Sequence, residues 1–476
     1  MSSLPKLKNR LGLIALFVLD FAALFIIFQA AIFTRRDLFP LIFRNLPRYD
    51  YNPGSYWWMF AVWLFIMLYE EGYSRRFTFW DEIKFLWQSS FMASAAILTI
   101  LFIAKRGQEY SRILVGAMLA LSIILFPVMR LWAKKALYGA GLLLRKVIIA
   151  GSGEAAMNAY RAIMNEPNLG YKIAGFVDNA GSGKLPPGFR AHKGLEKIER
   201  YIKSAGAQDV IVAKPELSKE ELTSLVNHIQ HKAENTLYIP DIGGIAVAGT
   251  ELRHFFREQT LIIEIKNNLA NPFIYASKRV LDYGAAALIF LALLPVMLCI
   301  AALIRLGSVG PAMYRQLRVG KNGRLFHCYK FRTMYSDSAP KLQELLRRDP
   351  QARREWEATY KLSSDPRVTP VGRFLRGTSL DELPQLLNIL RGEMSLVGPR
   401  PVVTEELEKY YGEDAVFYLR VPPGLTGLWQ VSGRSDTTYK YRISLDSWYV
   451  KNWGLWLDTV ILFKTVGVVL NREGAR

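Results

Sequence analysis

Two acidic residues stand side by side at Asp381 and Glu382, within the stretch TSLDELPQLLNIL at residues 378–390. A carboxylate can attack an electrophilic phosphorus when a cation neutralises the phosphate charge, and a second carboxylate beside it can hold a divalent metal. Arginines are frequent around the pair, so we expect Asp381 to stay ionised. The combination indicates phosphoryl transfer, a reaction that depends mostly on positioning and on stabilisation of charge.

The same residues also fit a purely structural interpretation. Ser379 followed three residues later by Glu382 has the pattern of a capping box, in which each side chain bonds a backbone amide at the start of a helix. Leucines at 383, 386, 387 and 390 continue a helix pattern that Gly392 would end. The tetrapeptide alone favours a helix cap, whereas the basic surroundings favour a phosphoryl-transfer site. One turn could act both as the cap and as the site of the nucleophile.

The basic surroundings begin at Arg305 and suit a phosphorylated ligand. Guanidinium forks and ammonium groups are the side chains that hold a diphosphate. Here they are Arg315, Arg318, Lys330, Arg332, Arg373, Arg376 and Arg400.

Charge and composition narrow the classes of partner. The chain of 476 residues carries a formal charge of +20 and is 51% hydrophobic, which fits nucleic acid, an acidic membrane surface or phosphorylated small molecules. The basic residues are spaced too irregularly for a nucleic-acid helix, so no nucleic-acid partner is expected. Cys299 and Cys328 form neither a disulfide framework nor a zinc motif.

The first third of the sequence is predicted to lie in a membrane, as a four-helix transmembrane bundle. Its apolar stretches are about long enough to cross a hydrocarbon core of roughly 30 Å. Four spans return the chain to its starting side, and the basic flank after the last stretch favours the cytoplasm. The stretches are residues 11–33, 51–69, 85–104 and 113–133, in a domain at 1–143.

Residues 144–268 are predicted to form a Rossmann-like α/β domain. The strand KVIIA runs into Gly151-Ser152-Gly153, a helix pattern follows, and a second strand ends at Asp178. Such glycines let a phosphate approach a helix N-terminus, and the acid can bind a ribose, although the turn also occurs as tight packing without a ligand. The sequence has no Tyr-x-x-x-Lys pair for oxidoreductase chemistry. We therefore expect a regulatory or scaffold domain.

The region from residue 278 to the C-terminus carries four long, ordered motifs: KRVLDYGAAALIFLALLP, KFRTM, TSLDELPQLLNILRGEMSLVGPRP and PGLTGLWQVSGR. In these it resembles the bacterial polyprenyl-phosphate sugar-1-phosphate transferases, also called monotopic phosphoglycosyl transferases. The leading spans and the middle domain make the whole chain similar to the long members of that family. The resemblance implies a mostly helical, membrane-associated catalytic domain at 269–476.

The resemblance also implies a reaction. Asp381 would attack the β-phosphate of a UDP-sugar, release UMP, and pass the sugar phosphate to undecaprenyl phosphate, as the first membrane step of O-antigen or exopolysaccharide synthesis. Glu382 would be its partner acid, and both would hold Mg²⁺. Galactose is the expected sugar, with glucose as the alternative. Lys330, Arg332, Arg376 and Arg400 match basic positions of the family's motifs. Arg318, from the basic surroundings, is predicted to bind phosphate with them.

A fifth apolar run at residues 280–304 contains Leu294-Pro295. A run of this length is normally a simple span, whereas an interior proline bends a helix. UDP-sugars are made in the cytoplasm, and after four spans a complete fifth crossing would place Asp381 on the opposite side. We therefore expect a re-entrant helix at about 279–305, broken at Pro295. Small family members carry a serine where Leu294 stands, so that hydroxyl is absent here.

Further expectations concern location, assembly and one acid in the last helix. The protein is expected to be a multi-pass protein of the bacterial inner membrane, in contact with membrane lipids, with its catalytic domain on the cytoplasmic face and a dimer as its oligomeric state. Asp458, within an apolar stretch, would either bind substrate or lie on the wet face of an interfacial helix. A membrane-tethered oxidoreductase and a non-catalytic scaffold are the rival functions.

Overall fold

The computed structural model describes two compact units, Met1–Ile242 and Gly243–Arg476. The predicted middle domain extended to residue 268, whereas a β-hairpin within 251–264 groups with the second unit. The described residues are 3–42, 51, 53–105, 110–179, 185–241, 251–255, 260–264, 268–335, 338–351, 353–354, 365–433 and 438–471.

Four helices open the first unit at the positions predicted for the membrane domain. They are α1 (Ser3–Phe33), α2 (Pro53–Tyr69), α3 (Phe79–Ile103) and α4 (Arg112–Gly139). α1, α3 and α4 are long and apolar enough to cross a membrane, and α2 is a shorter apolar helix of 17 residues. The first unit therefore carries the helices of a membrane protein.

Four charged side chains lie buried among these helices and neutralise one another. Arg130 of α4 is 1% exposed and pairs with Asp20 of α1. It also donates to Glu82 of α3 at 2.8 Å and to the Gly72 carbonyl at 2.6 Å. Lys134, one turn later, donates to Glu82 at 2.6 Å. Because an uncompensated charge within a membrane is costly, these ion pairs favour one arrangement of α1, α3 and α4.

A parallel sheet of five strands follows the helices, as the alternating pattern of the sequence predicts. Its strand order is β3-β2-β1-β4-β5, and helices pack on both faces of its β-branched core. This confirms the α/β class of the middle region. The strands are β1 (Arg145–Ala150), β2 (Tyr171–Asp178), β3 (Ala191–Lys193), β4 (Asp209–Val212) and β5 (Asn235–Tyr238), and the helices are α5 (Glu154–Asn165), α6 (Ile198–Ala205) and α7 (Lys219–Gln230).

Asn168, in the turn before β2, joins the sheet to the membrane helices. Its side-chain amide donates to Glu82 Oε2 at 2.6 Å and to the Phe77 carbonyl at 3.1 Å. Its own carbonyl accepts from Lys134 Nζ at 3.1 Å and from the Tyr138 hydroxyl at 2.9 Å. The charge cluster of the membrane helices is thus continuous with the base of the sheet.

The second unit is mostly helical and contains three small two-stranded sheets. Antiparallel hairpins pair β6 with β7 and β8 with β9, and β10 lies parallel to β11. The strands are β6 (Glu251–Phe255), β7 (Thr260–Glu264), β8 (Met313–Val319), β9 (Leu325–Phe331), β10 (Ser395–Val397) and β11 (Gly424–Thr426). The helices are α8 (Pro272–Gly307), α9 (Ser338–Arg348), α10 (Pro370–Thr378), α11 (Gln385–Leu390), α12 (Thr404–Glu406), α13 (Ala415–Tyr418), α14 (Tyr439–Lys451) and α15 (Leu455–Leu470).

The apolar helix α8 is attached to the rest of the second unit near both of its ends. Near its start, the Arg279 guanidinium donates to the Gly392 carbonyl at 3.0 Å. Just past its end, Arg332 donates to the Ser308 and Val309 carbonyls, each at 2.8 Å. The helix runs through Pro295 without interruption, so the predicted break in helical structure is not seen. The re-entrant path itself stays a prediction.

The buried charge cluster generates a stability prediction. Arg130→Leu removes the ion-pair partner of Asp20 and one of the two ion-pair partners of Glu82, so we expect a loss of roughly 3–5 kcal/mol, seen as a clear fall in the melting temperature in detergent. Arg75→Leu is the matched control, because Arg75 is exposed and its one ion pair among the described residues is with Glu71 on the same turn. Equal melting temperatures for the two variants would contradict a stabilising role for the cluster.

Candidate active site

A pocket of about 730 Å³ opens in the second unit and contains both carboxylates of the predicted pair. Its volume is in the range of small-molecule sites. The predicted residues Arg318, Lys330, Arg332, Arg376 and Arg400 also lie in its wall, together with residues that were not predicted, among them Gln316, Thr333, Glu406, Trp429, Gln430 and Arg442.

A sharp junction between two helices presents the acids. Helix α10 is capped by Thr369, whose hydroxyl accepts from the Gly372 amide at 2.9 Å, and it ends at Ser379 in the left-handed conformation, with φ 57°. Asp381 and Glu382 then sit on a single 3₁₀ turn before α11. Ser379 makes no side-chain cap, so the predicted capping box is wrong: the left-handed backbone at Ser379 ends one helix instead of starting another. Gly392 follows α11 with φ 81°, as expected for a helix stop.

Close packing fixes this junction against β9, the strand that carries Lys330. Gly372 lies directly on the Thr333 backbone, where a Cβ atom would come within 2.0 Å of the carbonyl oxygen, so no larger residue fits without displacement. The buried Asn388 of α11 accepts from the Tyr329 amide at 3.0 Å and donates to the His327 carbonyl at 2.7 Å. The acids and Lys330 are therefore held by one rigid assembly.

The two carboxylates have different surroundings. Glu382 Oε1 lies 2.7 Å from Lys330 Nζ and 3.6 Å from Arg400 Nη2. None of the described residues forms an ion pair with Asp381. Burial raises the pKa of the Asp381 carboxyl above its ordinary range, the charge of Glu382 adds to the rise, and Lys330 and Arg376 oppose it. The sequence predicted that neighbouring cations favour the ionised form of Asp381; Lys330 and Arg376 do so, whereas burial and Glu382 act in the opposite direction.

The predicted arginines divide into those open to a ligand and one that also has a structural role. Arg376 donates to the Thr333 hydroxyl at 3.0 Å. Arg318 donates to Gln316 Oε1 at 2.8 Å and lies 3.9 Å from Glu406. Both keep donors for a phosphate. Arg332 is buried, fastens the segment after α8, as described above, and also lines the pocket, so its phosphate contact stays a prediction.

Asp458 does not line the pocket, and it does not lie on a wet helix face. It is 5% exposed, pairs with Lys278 Nζ at 2.8 Å and accepts from the Tyr449 hydroxyl at 2.7 Å. Lys278 also donates to Asp282 at 2.9 Å, and Asp282 accepts from the Leu396 amide at 3.2 Å. This acid therefore ties α8 and α15 to β10. Both predictions for Asp458 missed the partner, since nothing in the sequence relates it to Lys278.

The wall opposite the acids is built by the segments that follow β10 and β11. Gly398 and Gly424 face each other there, and a Cβ on Gly424 would come within 2.1 Å of the Gly398 nitrogen. This contact brings Arg400 to the Trp429 ring, with its guanidinium carbon 5.7 Å from the ring centre. Arg442 of α14 lies over the same ring at 4.0 Å. Trp429 belongs to a quoted motif, whereas no pattern in the sequence marks Arg442.

The donor set suits a magnesium ion that is shared with a ligand. Among the described residues, no group of three or more acidic, histidine or cysteine side chains could hold a metal alone. Mg²⁺ commonly takes one or two carboxylates together with water and substrate phosphates. Asp381, which lacks an ion-pair partner, and Glu382 supply that kind of set.

Comparison with known proteins identifies the family. A model for bacterial sugar transferases matches residues 273–472, which include the whole pocket. An uncharacterized sugar transferase of Haemophilus influenzae is 37% identical over 486 residues, covering 98% of this chain and 100% of that protein. The chain belongs to the bacterial sugar transferase family. It is an enzyme, a sugar-phosphate transferase.

Two further relatives of this sugar transferase carry more specific names. The undecaprenyl-phosphate galactose phosphotransferase of Salmonella typhimurium is 39% identical over 414 residues, covering 87% of this chain and 86% of that protein. The UDP-glucose:undecaprenyl-phosphate glucose-1-phosphate transferase of Escherichia coli is 31% identical over 329 residues, covering 68% and 67%.

A second family model, a CoA-binding domain, matches residues 69–240 of the transferase. In this region the predicted cofactor turn has Gly151 at φ 132°, and Gly153 precedes α5. Asp178, predicted to meet a ribose, is occupied by side chains of the same sheet. It accepts from Lys214 Nζ at 2.7 Å and from the Ser152 hydroxyl. A nucleotide would have to displace these contacts to reach Asp178.

A second acid near the pocket generates a pH prediction. Asp446 of α14 is 3% exposed, and burial raises its pKa to about 7, against the opposing hydrogen bond from Tyr411. The folded state therefore favours the protonated form. The raised pKa of Asp446 therefore adds to the stability of the fold. This stabilisation is fully present below about pH 4, the pKa of an ordinary aspartate, and it is lost as the pH rises through about 7.

Asp446→Asn removes this titration. We expect the melting temperature of the variant, relative to the wild type, to be higher at pH 8 than at pH 5. Asp349→Asn, at an exposed site, serves as the control for the change from aspartate to asparagine. A pH-independent difference for Asp446→Asn would contradict the raised pKa.

Proposed function

We propose that the protein transfers a hexose 1-phosphate, galactose 1-phosphate by preference, from a UDP-sugar to undecaprenyl phosphate. The products are undecaprenyl-diphosphate-sugar and UMP. The observation that carries this proposal is Asp381, a desolvated carboxylate with no ion-pair partner among the described residues, set in a basic pocket beside the neutralised Glu382. A desolvated carboxylate is a competent nucleophile towards phosphorus when neighbouring cations neutralise the charge of the bound phosphate.

In the first step, an Asp381 oxygen attacks the β-phosphorus of the UDP-sugar. The bond from that phosphorus to the bridging oxygen breaks, and the electron pair leaves with UMP. Asp381 then carries the sugar phosphate as a mixed anhydride. Arg376 and Lys330 oppose the rise in the pKa of Asp381, and as cations in the pocket wall they would stabilise the charge that develops on the phosphoryl oxygens.

In the second step, an oxygen of undecaprenyl phosphate attacks the same phosphorus. The bond to Asp381 breaks, the carboxylate is restored, and the lipid diphosphate sugar leaves. Asp381 attacks as the ionised carboxylate, a form that burial disfavours and that Lys330 and Arg376 favour. Mg²⁺, held by Asp381 and Glu382 with phosphate oxygens, would supply further neutralising charge.

The choice of sugar is supported by similarity alone. The relative named for galactose is more similar to this chain and covers more of it than the relative named for glucose. Glucose 1-phosphate is therefore the competing donor group.

A re-entrant path for α8 is supported by its attachments. Ala286, before Pro295, packs in one cluster with Leu386 of α11, and Ile304, after Pro295, packs in another with Leu375 of α10. Both halves of the helix thus contact the elements that flank the acids, although most of its apolar surface is exposed. A helix that entered and left by one face would place the pocket at the depth of lipid headgroups, on the cytoplasmic face of the inner membrane.

The parallel sheet of the first unit is proposed as a regulatory or scaffold domain, since its candidate cofactor acid is paired internally. The dimer expected from the sequence also stays a proposal. The product of the reaction would enter O-antigen or exopolysaccharide assembly.

The proposed reaction is tested by the release of UMP from a panel of UDP-sugars, with and without undecaprenyl phosphate. We expect release from UDP-galactose above UDP-glucose. Asp381→Asn should abolish it while keeping the fold, since an amide of similar size is a poor nucleophile. Asp349→Asn, at an exposed site outside the pocket, is the matched control and should keep wild-type turnover. Near-normal turnover in Asp381→Asn would exclude Asp381 as the nucleophile.

The re-entrant path is tested by single cysteines at Ser277 and Val309, in a Cys299→Ala, Cys328→Ala background. Val309 is exposed and Ser277 is half-buried, and the two positions bracket the apolar part of α8. We expect both to resist a membrane-impermeant thiol reagent outside intact cells and to react in inverted vesicles. Labelling of one position from outside would establish a full crossing.

A further inference from the structure

The wall opposite the acids contains a buried donor that lacks an acceptor. Trp429 lines the pocket and is 7% exposed, and its indole Nε1–H has no hydrogen-bond partner in the part of the chain that the structure describes. A buried N–H group without an acceptor costs free energy, so such groups are rarely left unpaired. An oxygen atom of a bound ligand is one acceptor that would satisfy it.

A cation without a counter-ion lies beside this indole. The Arg442 guanidinium stacks on the Trp429 ring at 4.0 Å and on the Tyr439 ring at 4.9 Å, and it lines the same pocket. It forms no ion pair with any described residue. Stacking holds the guanidinium in place while its N–H donors stay open to the pocket.

Indole and guanidinium groups are donors only, so they select a ligand group that only accepts. An ionised phosphate meets this condition, whereas a sugar hydroxyl or the N–H of a uracil ring also brings donors. A guanidinium binds phosphate through paired, charge-assisted hydrogen bonds. The ligand group that fits this part of the wall is therefore a phosphate.

This phosphate is distinct from the one that reacts at Asp381. Arg400 contacts both regions, because its guanidinium is 3.6 Å from Glu382 and its central carbon is 5.7 Å from the Trp429 ring centre. A diphosphate could thus place one phosphate at Asp381 and its neighbour on the far side of Arg400.

We propose that Trp429 and Arg442 form a second phosphate subsite, used in turn by the two substrates. This rests on the proposed function. Each in-line displacement puts the attacking and leaving oxygens on opposite sides of the phosphorus. UMP therefore leaves from the side opposite Asp381, and the lipid phosphate must arrive from that same side. The subsite holds the nucleotide α-phosphate in the first step and the undecaprenyl phosphate in the second.

The experiment compares Trp429→Phe and Arg442→Gln in the full-length protein. Trp429→Phe keeps an aromatic ring for Arg442 to stack on and removes only the N–H. The matched controls are Trp448→Phe, at a partly exposed indole on α14, and Arg420→Gln, at an arginine stacked on Phe417 outside the pocket. UMP affinity is measured by calorimetry in an Asp381→Asn background, which does not require turnover. KM values for UDP-galactose and undecaprenyl phosphate are measured in the active protein.

We expect each subsite variant to weaken UMP binding about tenfold, as for one lost hydrogen bond to a charged acceptor, and to raise both KM values. Trp448→Phe and Arg420→Gln should keep the UMP affinity and the KM values of the proteins into which they are introduced. Unchanged UMP binding would overturn the subsite, even if the covalent reaction at Asp381 were correct. Weaker UMP binding with an unchanged KM for undecaprenyl phosphate would overturn its use by both substrates. If UMP binding weakens as expected but the wild type releases no UMP, the proposed reaction fails while the phosphate subsite stands.

Discussion

Two neighbouring carboxylates that are partly withdrawn from water repel each other, and the catalytic unit is built around this repulsion. Glu382 is neutralised directly by Lys330 and Arg400. None of the described residues forms an ion pair with Asp381, and the pKa of Asp381 is raised by burial and by Glu382. The two acids thus differ in how their charge is compensated, and this asymmetry supports the proposal that Asp381 reacts while Glu382 assists it.

This asymmetry requires several separate chain segments to meet at fixed positions. Buried polar contacts provide that rigidity: Asn388 joins the helix after the acids to β9, and Asp282 joins α8 to β10. Lys278 and Asp458 complete the second set through a buried ion pair. Removal of one member of such a pair leaves a buried charge, so the membrane-facing helices and the pocket are energetically linked.

The sequence predicted the features that are encoded locally. Apolar runs located the helices of the first unit, β-branched runs and a glycine turn located the parallel sheet, and the acidic pair with its basic motifs located the pocket. What could not be predicted depends on contacts between distant residues. Asp458 is 180 positions from Lys278, Arg442 lies in no motif, and Arg332 has the charge of a ligand-binding residue but the partners of a structural one. The capping pattern at Ser379 failed because the preceding helix controls the backbone there.

The covalent step at Asp381 is the centre of the proposed mechanism, and peptide mass spectrometry tests it most directly. Wild-type protein is incubated with UDP-galactose without undecaprenyl phosphate, quenched and digested. The mechanism predicts one hexose phosphate on the peptide that contains Asp381, lost when undecaprenyl phosphate is added and absent from Asp381→Asn. An adduct on another residue, or UMP release that requires undecaprenyl phosphate and leaves no adduct, would contradict it.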